Sequence, residues 1–301
     1  MTYIIENANI LKGQQINKAS LLIDQGKISA IKPSFKRYNY MKMDAKPFIM
    51  TPTTILLKRK FPLEKSFSEL KNYFIHEFIM NGCTAFLTTI HINQEHELST
   101  KLKYLKTKLL NCPIDYIIGV QISLSNITQS FLRKCKREKV PAIFVEINNS
   151  DELYKLPWGW IREAMFPYNS PLIPLFRGKS ERENNVARLH WKKLMEIEKI
   201  PFIEDELAEN KPLSYSVLAK IGIFPFKGNI QQGQELSYNL YLRNDENRNI
   251  EEIELFHYHN SKLVITVHKG DVIRANEHVI FRPGFGEHVI IKTPSYYKIE
   301  A

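Results

Sequence analysis

Cysteine is scarce in this chain: Cys83, Cys112 and Cys135 are the only three in 301 residues. The number is odd and no Cys-x-x-Cys occurs, which argues against a disulfide framework or a cysteine-built zinc site and fits a reducing cytoplasm. No apolar run reaches 18 residues, so no membrane-spanning helix is expected. The opening Met1-Thr2-Tyr3-Ile4-Ile5-Glu6-Asn7 lacks the basic, apolar and small-residue order of a signal peptide. Glycine numbers only 12, and neither a Walker A loop, a dinucleotide fingerprint nor a G-x-S-x-G nucleophile elbow is present. Internal repeats and low-complexity tracts are absent.

What is present is ordinary for a folded protein. Hydrophobic residues make up 44% and charged residues 25%, which excludes a disordered or collagen-like chain. The net charge is +10 and the pI about 9.3. Such a balance permits a nucleic acid, an anionic membrane or an acidic partner. Without an arginine-rich tail, an RGG tract or a helix-turn-helix pattern, the simpler reading is a lysine-rich solvated surface. Neither a nucleic acid nor a membrane is therefore expected as a partner.

The hydrophobic pattern changes twice along the chain. Residues 3–10, 19–23 and 27–31 read as short strands, with Asp24-Gln25-Gly26 as a turn. After Pro52 the run Thr54-Ile55-Leu56-Leu57 suits a buried strand. Helices then alternate with strands: helix 66–80 capped at Ser66 or Ser68 and ended by Asn81-Gly82, strand 83–90, a helix with Leu98, Leu102, Leu105 and Leu109 on one face, strand 116–122, helix 128–139, strand 142–147. Strands separated by amphipathic helices imply a parallel sheet, because parallel neighbours need a crossover. Past Ser150 helices are expected at 156–166, 186–200 and 214–221, and short strands at 172–176 and 202–203. From Gly222 the pattern returns to short strands broken by turns at Arg243-Asn244-Asp245-Glu246-Asn247 and Pro283-Gly284.

Several phrases in this layout resemble the amidohydrolase superfamily. Leu21-Leu22-Ile23-Asp24-Gln25-Gly26-Lys27-Ile28-Ser29-Ala30-Ile31 looks like its opening hairpin, ending in "GKI-x-x-I". Asn81-Gly82-Cys83-Thr84-Ala85-Phe86-Leu87-Thr88-Thr89 is similar to the "G-x-T-x-F-L-x-T" second barrel strand of N-acetylglucosamine-6-phosphate deacetylases, and Gly119-Val120-Gln121-Ile122-Ser123 to their third. Gly228-Asn229-Ile230-Gln231-Gln232-Gly233-Gln234-Glu235-Leu236 looks like the return to the sandwich. The resemblance implies an α/β plus β fold: a TIM-like (β/α) barrel, 51–222, inserted into a small β-sandwich built from both chain ends, 1–50 and 223–301.

The metal ligands that the resemblance implies are missing. The family's first strand ends in His-x-His; here the positions read Lys58-Arg59-Lys60, protonated at neutral pH and repulsive to a divalent ion. The third-strand metal-binding Glu corresponds to Ser123. No histidine lies between His96 and His190, His190 falls inside a helical pattern, and Asp205 is the candidate for the eighth-strand Asp. The stretch 51–222 is 172 residues long, against about 250 for a complete barrel. The barrel is therefore expected to be shortened after Ile147, with its strand edges covered by a second copy of the chain, a protein partner or the segment 158–168.

Other clusters have weaker claims. His257-Tyr258-His259 is an H-x-H on an expected strand, so zinc is one reading and an exposed strand face the simpler one. Trp158-Gly159-Trp160 with Phe166, Tyr168 and Phe176 reads as core or as a binding surface. Arg133, Lys134, Lys136, Arg137 and Lys139 crowd a helix C-terminus, where the dipole favours them; phosphate binding is the alternative. The expected pocket comprises Lys58, Lys60, Gln121, Ser123 and Glu146, with Lys58 and Lys60 on one side of the strand end and Arg59 on the other. There the two lysines would bind an anion or neutralise nearby carboxylates.

The sequence thus points to an amidohydrolase-like protein that has lost metal-dependent hydrolysis and acts in binding, scaffolding or regulation, with no cofactor. The alternative is a hydrolase with a rebuilt site for an amide, ester or phosphorylated small molecule. It would use Glu146, Glu204, Asp205 or Glu206 as base and Lys58 or Lys60 as stabiliser.

Overall fold

The computed structural model describes residues 1–243 and 251–295. The expected turn at 243–247 falls, from Asn244 on, outside them. In chain order the elements are β1 (Thr2–Lys12), β2 (Gln15–Asp24), β3 (Lys27–Lys32), β4 (Met41–Asp44), β5 (Phe48–Pro52), β6 (Thr54–Leu57), α1 (Phe67–Glu77), β7 (Cys83–His91), α2 (Glu97–Lys108), β8 (Asp115–Ser123), α3 (Gln129–Arg137), β9 (Ile143–Ile147), α4 (Trp158–Met165), β10 (Leu172–Phe176), α5 (Glu181–Ile197), α6 (Tyr215–Ile221), β11 (Tyr238–Leu242), α7 (Glu252–Tyr258), β12 (Leu263–His268), β13 (Asp271–Ala275) and β14 (His278–Val279). They fall into two compact units. None of the described helices is long and apolar enough to cross a membrane.

The first unit comprises Met1–Ile55, Pro62–Ala85 and Pro225–Phe285. Its nine-stranded mixed sheet runs β14-β13-β12-β11-β5-β1-β2-β3, with β4 beside β1. The two ends of the chain join at the antiparallel seam Tyr238↔Pro52 to Leu242↔Phe48. The β2–β3 turn has positive φ at Gln25 and Gly26, the geometry that matches strand twist in a two-residue hairpin. The sheet folds over as a β-sandwich. Leu236 N donates to Gly26 O, Gly270 N to Leu236 O, and a Cβ at Gly270 would lie 2.8 Å from the Gly26 Cα. Only glycine allows that approach. Ile5, Leu21, Ile23, Ile28, Met50, Leu240 and Val267 fill the interior, each contributing about 1.5–3 kcal/mol by burial. The strand pattern after Gly222 is interrupted by α7. Glu251 N donates to the Glu254 carboxylate at 3.0 Å, a local bond that starts a helix where strands were expected.

The second unit comprises Leu56–Phe61, Phe86–Phe224 and the described residues from Gly286 on. Its five-stranded sheet, in the order β10-β9-β8-β7-β6, is a TIM-like half-barrel. β8, β9 and β10 are parallel, and β7 and β8 are buried along almost their whole length, as strands covered on both faces must be. Side chains cap the helices: Thr128 Oγ1 accepts from Phe131 N, Ser180 Oγ from Glu183 N and Ser214 Oγ from Val217 N, each worth about 1 kcal/mol, and the Ser180 cap starts α5 five residues before the expected 186. Leu98, Leu102, Leu105 and Leu109 are all buried.

The sheet edges are answered by one segment. At β10, Leu172 N donates to Pro201 O and Ile203 N to Leu172 O. At β6, Leu56 bridges Pro212 and Asn210 N donates to Leu57 O. Residues 201–213 thus run from one edge to the other as a strap, pairing each edge only locally and leaving the half-barrel incompletely closed. The segment 158–168, expected over these edges, instead packs α4 against α3.

Past Phe285 the chain returns to the half-barrel. Tyr116 N donates to Glu287 O, Val289 N to Tyr116 O and Gly286 N to Cys112 O. A Cβ at Gly286 would lie 1.9 Å from Ile114 O. Gly286→Ala is therefore expected to lower unfolding free energy by about 3 kcal/mol or more, read from urea denaturation. Beside it, His288 lies 5.5 Å from the Tyr116 ring, and burial, then Lys106, lower its pKa from 6.5 to about 4. The unfolded chain takes up this proton first, so stability is full above about pH 6.5 and falls as pH drops towards about 4. Allowing for partial exposure, His288→Asn should remove about 1 kcal/mol of that fall, measured by urea midpoints at about pH 7 and about pH 4.5.

Candidate functional site

Strand ends in a parallel sheet place loops and side chains at one rim, where barrel pockets form. In the half-barrel that rim carries Lys58-Arg59-Lys60 after β6, His91 at the end of β7, Gln121 and Ser123 on β8, Glu146 on β9 and Arg177 after β10. Gln121 and Glu146 are brought together: Nε2 donates to Oε1 at 2.6 Å. His91 Nε2 stands 3.8 Å from Glu146 Oε2, with the imidazole about half exposed. Ser123 Oγ lies 3.1 Å from Ser125 Oγ.

The lysine pair does not form the expected arrangement. β6 ends at Leu57, so strand alternation no longer governs Lys58-Arg59-Lys60. Both Lys58 and Arg59 reach the strap. Lys58 Nζ donates to Asn210 Oδ1 at 2.7 Å. Arg59 Nε donates to Glu209 Oε1 at 2.8 Å, and its Nη1 lies 3.5 Å from Glu206 Oε1. Arg177 Nη1 meets the same Glu206 oxygen at 3.4 Å. The arginine side chain is only 17% exposed, so this Glu209–Arg59–Glu206–Arg177 chain is the least solvated polar cluster of the rim's ion pairs. Lys60 is exposed.

The acidic candidates on the strap separate. Glu206 joins the cluster, whereas Glu204 pairs with Lys192 at 2.6 Å and Asp205 with Arg188 at 3.1 Å. Asp205 is 64% exposed and held by α5, outside the positions of the rim residues named above. His190 sits in α5 against Tyr154, ring centroids 5.6 Å apart.

In the other unit, the H-x-H reading does not hold. His257 lies in the last turn of helix α7 and His259 is its C-cap. Two positions apart on a helix turn through about 200°, so the two rings do not share a face as they would on a strand. The tryptophans divide: Trp158 is buried and donates to Leu153 O at 2.6 Å, and Trp160 is exposed. The basic end of α3 is largely engaged: Lys134 Nζ donates to Glu95 O, Lys136 Nζ to Ala164 O and Phe166 O, and Lys139 lies 4.8 Å from the Tyr168 ring.

The rim does not fit a hydrolytic metal centre. Such a centre takes three or more His, Asp, Glu or Cys ligands, and no such group converges among the described residues. His91 and Glu146 make two, and after the first strand Lys58 and Arg59 are cations already bonded to protein while Lys60 is an exposed ammonium. Burial raises all three thiols, Cys83, Cys112 and Cys135, which keeps them in the inert protonated form. Sequence reasoning missed His91 and Arg177. Each follows a readable strand by one residue, and that position, at the rim, was the available signal.

No family model matches the chain, and no curated protein matches it in sequence. Solved structures do match, over nearly the whole chain. A D-hydantoinase superposes with a TM-score of 0.69 at 13% identity, covering 97% of this chain and 99% of its own. A D-hydantoinase (dihydropyrimidinase) from Thermus sp. gives 0.67 at 11%, covering 98% and 100%. Dihydropyrimidinase from Brevibacillus agri gives 0.59 at 13%, covering 98% and 99%. At such identities the likeness is one of fold alone.

Proposed function

We propose that this chain is an amidohydrolase-like binding, scaffolding or regulatory protein that no longer performs metal-dependent hydrolysis. The observation that carries the reading is Arg59, at the strand end where the resemblance implies a metal-binding His-x-His, bonded to Glu206 and Glu209. A guanidinium stays charged at any physiological pH. It has no lone pair with which to ligate a metal, and it engages the two carboxylates nearest to it. Hydrolysis in this architecture needs a metal to activate water, and fold alone does not supply it. The incompletely paired edges of β6 and β10 support a partner, a second copy or another protein. Three buried free thiols fit a reducing cytoplasm.

A second reading rests on the His91–Glu146–Gln121 contact. A carboxylate oriented by an amide beside an imidazole is a general acid–base arrangement, suited to an amide, ester or phosphorylated small molecule. Hydantoin and dihydrouracil, ring amides of the kind named for the structural neighbours, are the substrates to try first.

Protein purified without chelator from zinc- and manganese-supplemented medium should carry well under about 0.1 metal per chain, and chelator should leave its melting temperature unchanged. About one metal per chain would overturn the proposal. Turnover of hydantoin, dihydrouracil or a simple ester that Glu146→Gln abolishes would establish the second reading in its place. Arg59→Ala, which leaves Glu206 and Glu209 short of their counter-charge, should cost about 2 kcal/mol in urea denaturation.

A further inference from the structure

Cations around the rim and along α5 are committed to carboxylates: Arg59 and Arg177 to Glu206, Arg188 to Asp205, Lys192 to Glu204. Two are not. Among the described residues the Lys179 ammonium and the Arg182 guanidinium take part in no ion pair or side-chain hydrogen bond, and both line one cleft of about 610 Å³. That volume lies within the small-molecule range of about 300–1,000 Å³.

The cleft is built by the loop after β9, the loop after β10 and the first turns of α5. Its frame is fixed by its own bonds. Asn149 Oδ1 accepts from Asp151 N at 2.9 Å, Asn184 Oδ1 from Gly178 N at 2.8 Å, and Glu183 Oε2 from Lys179 N at 2.8 Å. The helix start is already capped by Ser180, so the cleft does not depend on free amide groups there. What remains uncommitted is four side chains, Asn148, Ser150, Lys179 and Arg182, which line the cleft together with Val186 and Ala187. Arg182 and Val186, four apart on α5, lie side by side, and donors beside hydrocarbon describe a ligand with a charged head and an apolar body. With Glu183 counted, the two cations leave one net positive charge, which selects a small anion over a polyanion.

We propose that this cleft binds a small organic anion, its phosphate or carboxylate head held by Arg182 and Lys179 and its apolar part against Val186 and Ala187. Arginine's planar fork suits either head group. The proposal goes beyond the preceding reading, because it holds whether or not the chain turns over a substrate, and it moves the anion site from Lys58 and Lys60 to a different pair of strand ends.

The test is calorimetric titration of the full chain, at low salt, with phenyl phosphate, benzoate and inorganic phosphate. Phenyl phosphate or benzoate should bind one to one, and whichever binds more tightly identifies the head group. Lys179→Gln with Arg182→Gln should weaken that binding at least about ten-fold, while Lys193→Gln, an exposed cation farther along α5, should change it less than about two-fold. Val186→Ser, which removes hydrocarbon without adding charge, should weaken the aromatic anion and leave inorganic phosphate unaffected. Both cations are exposed, so the variants should keep the wild-type melting temperature; if the double variant does not, Arg182→Gln alone decides. Saturation by neither aromatic anion up to about 10 mM, or unchanged affinity in the cation variants, overturns the proposal.

Discussion

Five strands curl but do not complete a ring, and the half-barrel is built around that constraint. A sheet edge is a row of unpaired N–H and C=O groups, and a short half-barrel has two such rows. Residues 201–213 meet both, through Leu172 at one edge and Leu56 and Leu57 at the other. The strap makes few backbone bonds, so its own conformational entropy must be offset by its side chains. Trp191 Nε1 donates to Ile203 O at 3.0 Å and fixes its start. Arg59 and Lys58 fix its end through Glu209 and Asn210. Polar groups at the rim therefore serve closure before they serve any ligand.

That requirement accounts for the residue types at the rim. A metal-binding rim needs neutral imidazoles and unshared carboxylates. A rim that anchors an acidic strap needs cations, and arginine above lysine, because a fork can hold two carboxylates at once. Arg59 does so with Glu209 and Glu206, and Arg177 shares the second. Each partner makes the others tolerable: remove the arginine and two partly buried carboxylates face one another across the gap. The cluster ties the strap to the rim, so its charges and the pairing of the sheet edges act together.

Much of this architecture was legible in the sequence. The β2–β3 turn, the Ser66 cap, the Leu98–Leu109 face and the strands β1–β3 and β6–β10 depend on neighbours a few residues away, and local spacing reports local physics; β4 and β5 were not legible. The strap was not legible as a strap. Glu204, Asp205 and Glu206 read as candidate bases, because nothing in residues 201–213 reveals that the partners of the strap's acids lie 12 to 150 positions earlier. Helix α7 was hidden by a different effect. Its histidines and aromatics suit a strand, and the side-chain bond between Glu251 and Glu254 overrode that preference. The return of Gly286 to Ile114 was equally invisible: the glycine is required by a carbonyl 172 positions upstream and by no turn of its own.

The charge of +10 illustrates how far composition stands from function. Counted by sequence, the end of α3 is a basic cluster that the helix dipole favours, with phosphate binding as the alternative. Counted by bonds, Lys134 and Lys136 satisfy backbone carbonyls of neighbouring loops, and Lys139 lies over the Tyr168 ring. A carbonyl left unpaired near the surface of a packed helix layer costs more than a solvated one, and a long lysine reaches it while keeping its charge near water. Such cations are structural pins, unavailable to a ligand unless a bond breaks. The relevant quantity is then uncommitted charge beside a cavity, not net charge. On that measure Lys179 and Arg182 outweigh the more crowded basic cluster, because each can meet an anion without first abandoning a partner.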